Sequence, residues 1–465
     1  MRFNLIFAAA ALLAATTTTI DAAKARYDGH VLIRVKTSSA ALHDELANHD
    51  IWSHTRDGIN VHVSPSELVH LQQKYGESFK YEVVSANIQS LIDQDEASIA
   101  KSARKLTPFS AVASTVAAED SADAVDGVFG AAAWNLNTTG WHTTYHPYAD
   151  IKLFYQNLAC KYSNLVKYIP SIGKTIEGRN IFAIEITSPV RPAGGKKSAF
   201  FQFNIHAREW ISGALGQFFS EQLASNYNKD ARVKNILDKV SISIVGVANP
   251  DGYIYSMNTE RLWRKNRRFN GVVNGTDSYG VDLNRNWKMG WGLAGGSNET
   301  EAENYYGNGP ASEPETRALQ GYFDKLPQKL LGIDLHSCGQ LVIYPYAYTG
   351  ERPPAQDLAK YTEVIDKMIA TIAKPRGTQF VRFNIYNDAY PSAGGATDYF
   401  YGRYPNGTMF PGRDKVAYGL AMELQPLITV PMCFALNTTE ITPVGQENVP
   451  AFYDLIEYAL QNPLQ

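Results

Sequence analysis

The chain has 465 residues, of which 45% are hydrophobic and 19% are charged, and its formal net charge at pH 7 is -3. Its length and composition are typical of a globular protein with two or three domains, or with one large domain and additions. The near-neutral charge gives no reason to expect nucleic acid or an anionic membrane as a partner.

The N-terminus is predicted to be a secretory signal peptide over residues 1–23. An apolar run over residues 5–15 follows Arg2, and small residues begin at Ala22. The run is too short to cross a bilayer, and no other segment of the sequence approaches the roughly 20 apolar residues of a membrane span. We therefore expect a soluble, exported protein.

Residues 24–105 are predicted to form a small open α/β sandwich in which strands and helices alternate. Its second helix begins at Ser64-Pro65-Ser66-Glu67, a capping pattern with proline in the first turn. Residues 106–135 follow a basic cluster (101–105) and are rich in Ala, Ser, Asp and Val, which is typical of a linker open to proteolysis. A plain tether is one interpretation, and a cleavable pro-segment is the favoured one.

Residues 136–465 are predicted to form one large α/β domain, because apolar strands alternate with helices. The predicted strands are 181–186, 198–204, 240–247, 331–335 and 418–424. The predicted helices are 151–168, 211–227, 357–372 and 449–460. Ligands of such folds bind at the carboxyl ends of strands, and His206, His336 and Glu423 lie at or near three of those ends.

The cysteines and sequons give weaker information. Cys160, Cys338 and Cys433 do not form a disulfide framework, and at least one thiol must be unpaired within the chain. Whether Cys338 meets Cys433 stays open at this point. Possible glycosylation sites occur at Asn137, Asn274, Asn298, Asn406 and Asn437.

The distribution of histidines is the strongest indication of chemistry. Of the 10 histidines, only His206 and His336 follow His146, and Glu209 lies three positions after the first of them. Two imidazoles and a carboxylate suit a catalytic zinc ion and leave its fourth position open. The sequence thus predicts one zinc ion per chain.

Eight motifs then occur in order along the chain. They are HAREW (206–210), NPDGY (249–253), RLWRKNR (261–267), VDLNRNW (281–287), HS (336–337), YPY (344–346), YPSAGGATD (390–398) and EL (423–424). With them the chain resembles, from about residue 140 to its end, the zinc metallocarboxypeptidases of the pancreatic carboxypeptidase A/B type. Residues 27–95 resemble that family's inhibitory pro-domain less specifically. The resemblance implies a mixed, mostly buried central sheet flanked by helices.

The resemblance also implies a biological setting. It implies a secreted zymogen that an activating protease converts into a monomeric enzyme acting on peptide or protein C-termini.

For the metal and the chemistry, the resemblance identifies His206, Glu209 and His336 as the zinc ligands. Asp282 would orient a ligating imidazole through a hydrogen bond. Glu423 would be the general base, and Arg264 would stabilise the oxyanion. The basic run 261–268 could otherwise be a solvated face, and we expect only Arg264 to face the zinc.

For the substrate, the resemblance implies that Asn284 and Arg285 bind the terminal carboxylate, since a guanidinium fork can hold two oxygens. Tyr390 would cap the terminal residue, and Arg208 would contact the substrate further from its terminus.

The side-chain preference depends on Thr397, at a position where basic-specific members of the family have Asp. An apolar pocket is expected from Ile343, Ala347, Ile385, Ala389 and Ala421, so release of hydrophobic or aromatic residues is favoured. Asp334 is a competing indication, because it lies two residues before His336 on the same strand and would place a charge near that pocket. The alternatives are a preference for Lys and Arg, and a catalytically silent relative that acts as a binding protein.

The sequence departs from the family pattern at three places. Cys338 stands where the family usually has Tyr and places a thiol near the site. Ser278 and Glu301 stand where pancreatic members have a disulfide, and Gln425-Pro426 follows Glu423.

Overall fold

The computed structural model describes residues 24–46, 48–55, 58–103, 140–413, 415–427 and 433–464. The signal peptide predicted at 1–23, the linker predicted at 106–135 and the sequon at Asn137 lie outside the described residues. No helix in the described part of the chain is long and apolar enough to cross a membrane.

Residues 24–103, here called the N-terminal unit, form a four-stranded antiparallel sheet with strand order β2-β3-β1-β4 and three helices. The strands are β1 (Val31–Val35), β2 (Asp50–Thr55), β3 (Gly58–Val63) and β4 (Tyr81–Ser85). The helices are α1 (Ala40–Leu46), α2 (Pro65–Tyr75) and α3 (Ile88–Ala103). The capping box predicted at Ser64 is present at the start of α2. The sequence interpretation missed β2.

The remaining described residues form one large α/β domain around an eight-stranded mixed sheet, with strand order β13-β12-β14-β11-β7-β8-β6-β5. Its strands are β5 (Val166–Lys174), β6 (Asn180–Ile186), β7 (Lys197–Phe203), β8 (Val240–Val245), β11 (Lys329–Ser337), β12 (Leu341–Ile343), β13 (Val381–Phe383) and β14 (Tyr418–Leu424). A separate hairpin consists of β9 (Phe269–Val273) and β10 (Thr276–Tyr279). The predicted mixed sheet is confirmed.

Helices pack against the sheet, and buried side chains of helices and strands form one large hydrophobic core. The helices are α4 (Tyr148–Lys161), α5 (Trp210–Asn226), α6 (Ala231–Lys239), α7 (Pro250–Asn258), α8 (Pro314–Lys325), α9 (Ala355–Arg376), α10 (Ile385–Asp388), α11 (Ala396–Tyr401) and α12 (Ile441–Gln461). The central strands are buried along nearly their whole length, which explains why their sequences are almost continuously apolar.

One helix prediction is wrong. The helix predicted over 151–168 ends at Lys161, and Val166 begins the edge strand β5. Leu165 and Val166 are buried and continue the apolar spacing of α4, although a turn separates them from it. The predicted helix over 449–460 is present but begins earlier, at Ile441.

Helix α11 lies directly against strand β14. A Cβ atom on Gly419 would come within 2.2 Å of the carbonyl oxygen of Thr397, so a glycine is needed for this approach. The contact fixes Thr397 beside the strand that carries Glu423.

Candidate metal site and substrate cleft

The candidate site lies where three parallel neighbouring strands of the large sheet end. Strand β11 pairs in parallel with β7 on one side and with β14 on the other. His206 follows β7, His336 lies near the end of β11, and Glu423 is its register partner on β14. Because the carboxyl ends of parallel strands share one edge, these residues from distant parts of the chain converge.

The three predicted metal ligands form a compact, buried cluster. The ligating atoms of His206, Glu209 and His336 all lie within 4.8 Å of one another. Nδ1 of His206 lies 2.9 Å from Oε1 of Glu209 and 3.1 Å from Nδ1 of His336, which lies 3.1 Å from Oε2 of Glu209. Ligands bound at about 2.0–2.1 Å by a tetrahedral zinc ion lie roughly 3.3 Å apart, which is close to this spacing.

The hydrogen bonds on the far side of each imidazole suit the tautomer that a metal ligand needs. Nε2 of His206 lies 3.1 Å from Oδ1 of Asp282, and Nε2 of His336 lies 2.6 Å from Oδ2 of Asp334. Because a carboxylate accepts hydrogen bonds, each Nε2 can donate its proton there, which leaves each Nδ1 lone pair for a metal ion. Two lone pairs 3.1 Å apart beside a carboxylate repel unless a cation lies between them. Two nitrogens and one oxygen therefore fit a zinc ion.

The surroundings of the cluster keep its carboxylates in their charged forms. Burial acts to raise the pKa of Glu209, but His206 and His336 hold this pKa below its usual value. Burial likewise acts against ionisation of Asp282, but Arg264 and His206 hold its pKa well below the usual range. Both carboxylates are thus kept charged in a dry site, as a dication requires.

Glu423 and Arg264 line the same cleft as the three ligands. Burial raises the pKa of Glu423 to about 8, with His336 opposing the rise and Glu209 adding to it. Arg264 donates from Nε and Nη2 to Oδ2 of Asp282 at 3.2 and 3.0 Å, and its Nη1 lies 3.8 Å from Oε1 of Glu209. The guanidinium is therefore held at the edge of the metal cluster.

Arg264 is the member of the basic run 261–268 that borders the cleft. Arg261 turns to Asp95 of the N-terminal unit at 2.9 Å. Lys265 donates to two backbone carbonyls, and Arg268 pairs with Glu313. Arg261, Lys265 and Arg268 thus bind other parts of the chain.

Asn284, Arg285 and Tyr390 also line the cleft. Oδ1 of Asn284 accepts the backbone N–H of Ala396 at 2.9 Å, which leaves its amide nitrogen directed towards the metal cluster, 3.1 Å from Nε2 of His336. Arg285 is buried and donates from Nε to the carbonyl of Gly295 at 3.0 Å. The structure therefore brings an amide and a guanidinium together beside the metal ligands.

A glycine allows the loop that carries Tyr390 to lie against Arg285. Gly394 has a φ of +73°, and a Cβ atom there would come within 2.3 Å of the carbonyl oxygen of Arg285. Only glycine accepts both the conformation and the close approach without strain.

The cleft encloses a cavity of about 350 Å³. Four of the five apolar residues expected in the pocket line it, namely Ile343, Ala347, Ile385 and Ala421. The fifth, Ala389, is exposed, so that expectation is wrong. Thr397 lines the cavity, whereas the neighbouring Asp398 accepts the backbone N–H of Ala347 at 3.0 Å. Burial raises the pKa of Asp398 to about 7.

The N-terminal unit forms one wall of the same cleft. The residues that it contributes are His43, His49, Ile51 and Trp52. Next to them, Oδ1 of Asp50 accepts from Nη1 of Arg208 at 2.9 Å, and Arg208 is only 1% exposed. The Arg208 guanidinium also packs on the ring of Phe434, 4.2 Å from its centroid. Arg208 therefore faces the N-terminal unit in the uncleaved chain.

Asp50 is held by three side chains. Besides Arg208, it accepts from Nε1 of Trp52 at 2.8 Å, and its Oδ2 lies 3.1 Å from Nδ1 of His62. Burial alone would raise the pKa of Asp50, but Arg208 and His62 hold this pKa below its usual value. The carboxylate is charged at neutral pH and can bind Arg208.

Three further features could not be placed from the sequence. Cys338 and Cys433 form a disulfide, so the thiol expected beside the site is absent, and Cys160 is free and exposed. Glu303 lines the cleft 3.8 Å from Nη1 of Arg208, and no motif pointed to it. Asp334 contacts His336 and is not among the residues that line the cavity.

Comparisons with known proteins agree with this geometry. The family profile described as zinc carboxypeptidase matches residues 151–451. Zinc carboxypeptidase A 1 of Anopheles gambiae is 29% identical over 463 residues, which are 97% of this chain and 94% of that protein. Carboxypeptidase A1 of Homo sapiens is 31% identical over 323 residues, covering 69% of this chain and 72% of that protein. The solved carboxypeptidase A from Helicoverpa armigera has a similar fold, with a TM-score of 0.75, 22% identity and coverage of 94% of this chain and 99% of that one.

Proposed function

Since this chain belongs to the zinc carboxypeptidase family, we propose that it is a secreted enzyme that releases hydrophobic or aromatic residues from peptide and protein C-termini. Membership of the family makes it a metallocarboxypeptidase, a peptidase that uses zinc. The observation that carries the finer proposal is that one cleft holds the ligand cluster, an acid, an arginine and a carboxylate-binding pair.

In this proposal Glu423 is the general base. His206, Glu209 and His336 would hold the zinc ion, which would lower the pKa of a bound water and polarise the scissile carbonyl. The positive charge of the ion would lower the raised pKa of Glu423, so that its carboxylate could accept a proton from the water as the water oxygen adds to the carbonyl carbon. When the carbon–nitrogen bond breaks, Glu423 gives that proton to the leaving nitrogen. Arg264 donates to the negative oxygen of the tetrahedral intermediate, a role worth about 10²–10³ in rate.

Arg285 and Asn284 restrict the enzyme to chain ends. The guanidinium and the amide nitrogen of Asn284 bind the two oxygens of a terminal carboxylate, which an internal peptide bond lacks. Tyr390 covers the terminal residue from the rim. Arg208 contacts the substrate further from its terminus once Asp50 has left.

The cavity wall supports a preference for hydrophobic or aromatic side chains. Apolar residues and Thr397 line the cavity, and the adjacent Asp398 carboxylate is turned to backbone N–H groups. Desolvating a Lys or Arg head group there without a paired carboxylate would be unfavourable.

We further propose a domain division into a signal peptide (1–23), an inhibitory pro-domain (24–105), an activation region (106–135) and a catalytic domain (136–465). The wall that the N-terminal unit places over the cleft supports inhibition. The basic cluster at 101–105 offers a site for an activating protease. The apolar run at 5–15 supports secretion, and the sequons at Asn274, Asn298, Asn406 and Asn437 are exposed, as glycosylation requires. The mature enzyme is proposed to be a monomer.

The proposal is tested by cleaving the purified chain with trypsin and measuring hydrolysis of blocked dipeptides that end in Phe, Leu, Lys or Arg. We expect activity only after cleavage, its loss with a chelator and recovery with zinc, and faster release of Phe and Leu. Faster release of Lys and Arg would instead assign a basic preference. Zinc binding without hydrolysis of any substrate would indicate a silent binding relative.

Glu423→Gln tests the assigned base. The variant should bind zinc like the wild type but lose about 10²–10⁴ in rate, the usual contribution of a general base. Near-normal turnover of the variant would show that another group takes the proton.

A further inference from the structure

Asp334 makes a short hydrogen bond to one of the metal ligands. It lies two positions before His336 on β11, so both side chains project from the same face of the sheet. Its Oδ2 lies 2.6 Å from Nε2 of His336, and Asp334 is completely buried. The strand lies between β7 and β14, which holds the pair in the rigid centre of the sheet.

Two neighbouring side chains lie within hydrogen-bond distance of Nε2 of His336, but this atom can bond to only one of them. The amide nitrogen of Asn284 lies 3.1 Å from that atom and is a donor, whereas the Asp334 carboxylate is an acceptor at 2.6 Å. The amide orientation is fixed, because Oδ1 of Asn284 already accepts from Ala396. A single ring nitrogen cannot both donate and accept, and the shorter, charge-assisted bond to Asp334 prevails. The Asn284 amide is thereby left for a substrate.

The two metal-binding histidines then have unequal partners. Asp282, the partner of His206, also accepts from Arg264 and from the backbone N–H of Asn284. Among the described residues, Oδ1 of Asp334 has no hydrogen-bond partner. A buried carboxylate is costly unless positive charge lies near it. The negative charge of Asp334 therefore acts mainly on the His336 imidazole, whereas the charge of Asp282 is divided among three donors.

We propose that Asp334 is a positioning residue of the metal site, which holds His336 with its Nδ1 lone pair directed at zinc and strengthens that ligand. The inference rests on the metal site proposed above. Hydrogen-bonding partners of metal-bound histidines fix the ring orientation and raise ligand basicity, and losing one typically costs 10–100-fold in metal affinity. Asp334 thus serves the metal and does not set the side-chain preference.

The test uses the full chain, stripped of metal and titrated with zinc against a chromophoric chelator. Asp334→Asn keeps the size of the side chain and removes its charge, and it should weaken zinc binding by about 10–100-fold. Asp357→Asn is the matched control, because Asp357 is also buried but pairs with Tyr401 and Arg403. The control should bind zinc within twofold of the wild type.

A spectroscopic measurement separates positioning from general stability. In the cobalt-substituted proteins, the visible absorption bands should shift for Asp334→Asn and stay unchanged for Asp357→Asn. Asp334→Ser, which removes the charge with a smaller side chain, should show the same loss of affinity if the Asn variant does not fold.

The outcomes distinguish this inference from the proposed function. Wild-type zinc affinity in folded Asp334→Asn or Asp334→Ser would overturn the inference alone. Misfolding of both metal-free variants would assign Asp334 a structural role instead and also overturn it. A wild-type chain that binds no zinc, or that still binds it tightly after His206→Ala, would overturn the metal site itself.

Discussion

Replacing Asp50 by Asn tests whether the N-terminal unit is held over the cleft by Arg208. The change keeps the shape of the side chain and removes the charge that Arg208 contacts at 2.9 Å. A hydrogen bond to a charged group contributes about 1.5–3 kcal/mol. Arg208 keeps a bond to the Leu262 carbonyl at 3.2 Å and lies 3.8 Å from Glu303, so part of the loss is offset.

We therefore expect the closed state, with the N-terminal unit over the cleft, to lose about 1.5–2 kcal/mol of stability. The fraction of molecules with an open cleft should then increase by roughly 10–30-fold. The measurement is hydrolysis of a blocked dipeptide by the uncleaved chain, and the rate should rise by that factor. After proteolytic removal of the N-terminal unit, the variant and the wild type should have equal rates, because Asp50 is then gone from both.

Glu82→Gln is the control for this experiment, because Glu82 lies on the same unit but is 70% exposed and 3.6 Å from Arg34. The control should leave the uncleaved chain as inactive as the wild type. The reasoning fails if uncleaved Asp50→Asn, shown to be folded by circular dichroism, gains no activity. An equal gain in Glu82→Gln would mean that any loss of charge loosens the unit.

Three further changes probe the cleft. Arg285→Lys should lower kcat/KM for free C-termini by about 10–100-fold, since an ammonium cannot hold two oxygens as a fork, while zinc content measured by atomic absorption stays normal. Thr397→Asp should raise kcat/KM for Lys and Arg relative to Phe by about 10–100-fold in competition assays, and an unchanged preference would place the specificity elsewhere. Asp398 has a pKa of about 7 when folded against an ordinary 3.8, so its favourable contribution is complete below about pH 4 and is lost as the pH rises to 7. Asp398→Asn should remove up to about 3 kcal/mol of that loss between pH 5 and pH 7.5, measured by urea unfolding at both pH values.

The sequence predicted the large sheet and the ligand cluster because their signals are local. Strands buried on both faces leave continuous apolar runs, as in 181–186 and 418–424, and both ranges match the structure. His206 and His336 each come at the end of such a run, and parallel strands bring those ends together. Strands β12 and β13 have three residues each, which is too short to leave a recognisable pattern.

Pairings across long separations could not be predicted in the same way. Cys338 and Cys433 are 95 positions apart, and with three cysteines the sequence could not choose the pair. Asp334 gave a usable signal, since the two-residue period of a strand places it on the face of His336. The two-residue period does not predict whether the Asp334 carboxylate contacts the imidazole or the cavity, because both lie on the same face of the sheet.

Arg208 lies beside the cleft and binds the N-terminal unit that covers it. It directly precedes the ligand Glu209, and the Phe434 ring and the Leu262 carbonyl hold its guanidinium in place. If Arg208 binds substrate as proposed, the N-terminal unit and a peptide compete for it, because a donor that binds Asp50 cannot at the same time bind a substrate carbonyl. The ligand cluster is already assembled in the uncleaved chain, with its three ligating atoms within 4.8 Å of one another. In the proposed zymogen, activation would therefore need only the removal of this wall, and no rearrangement of the metal ligands.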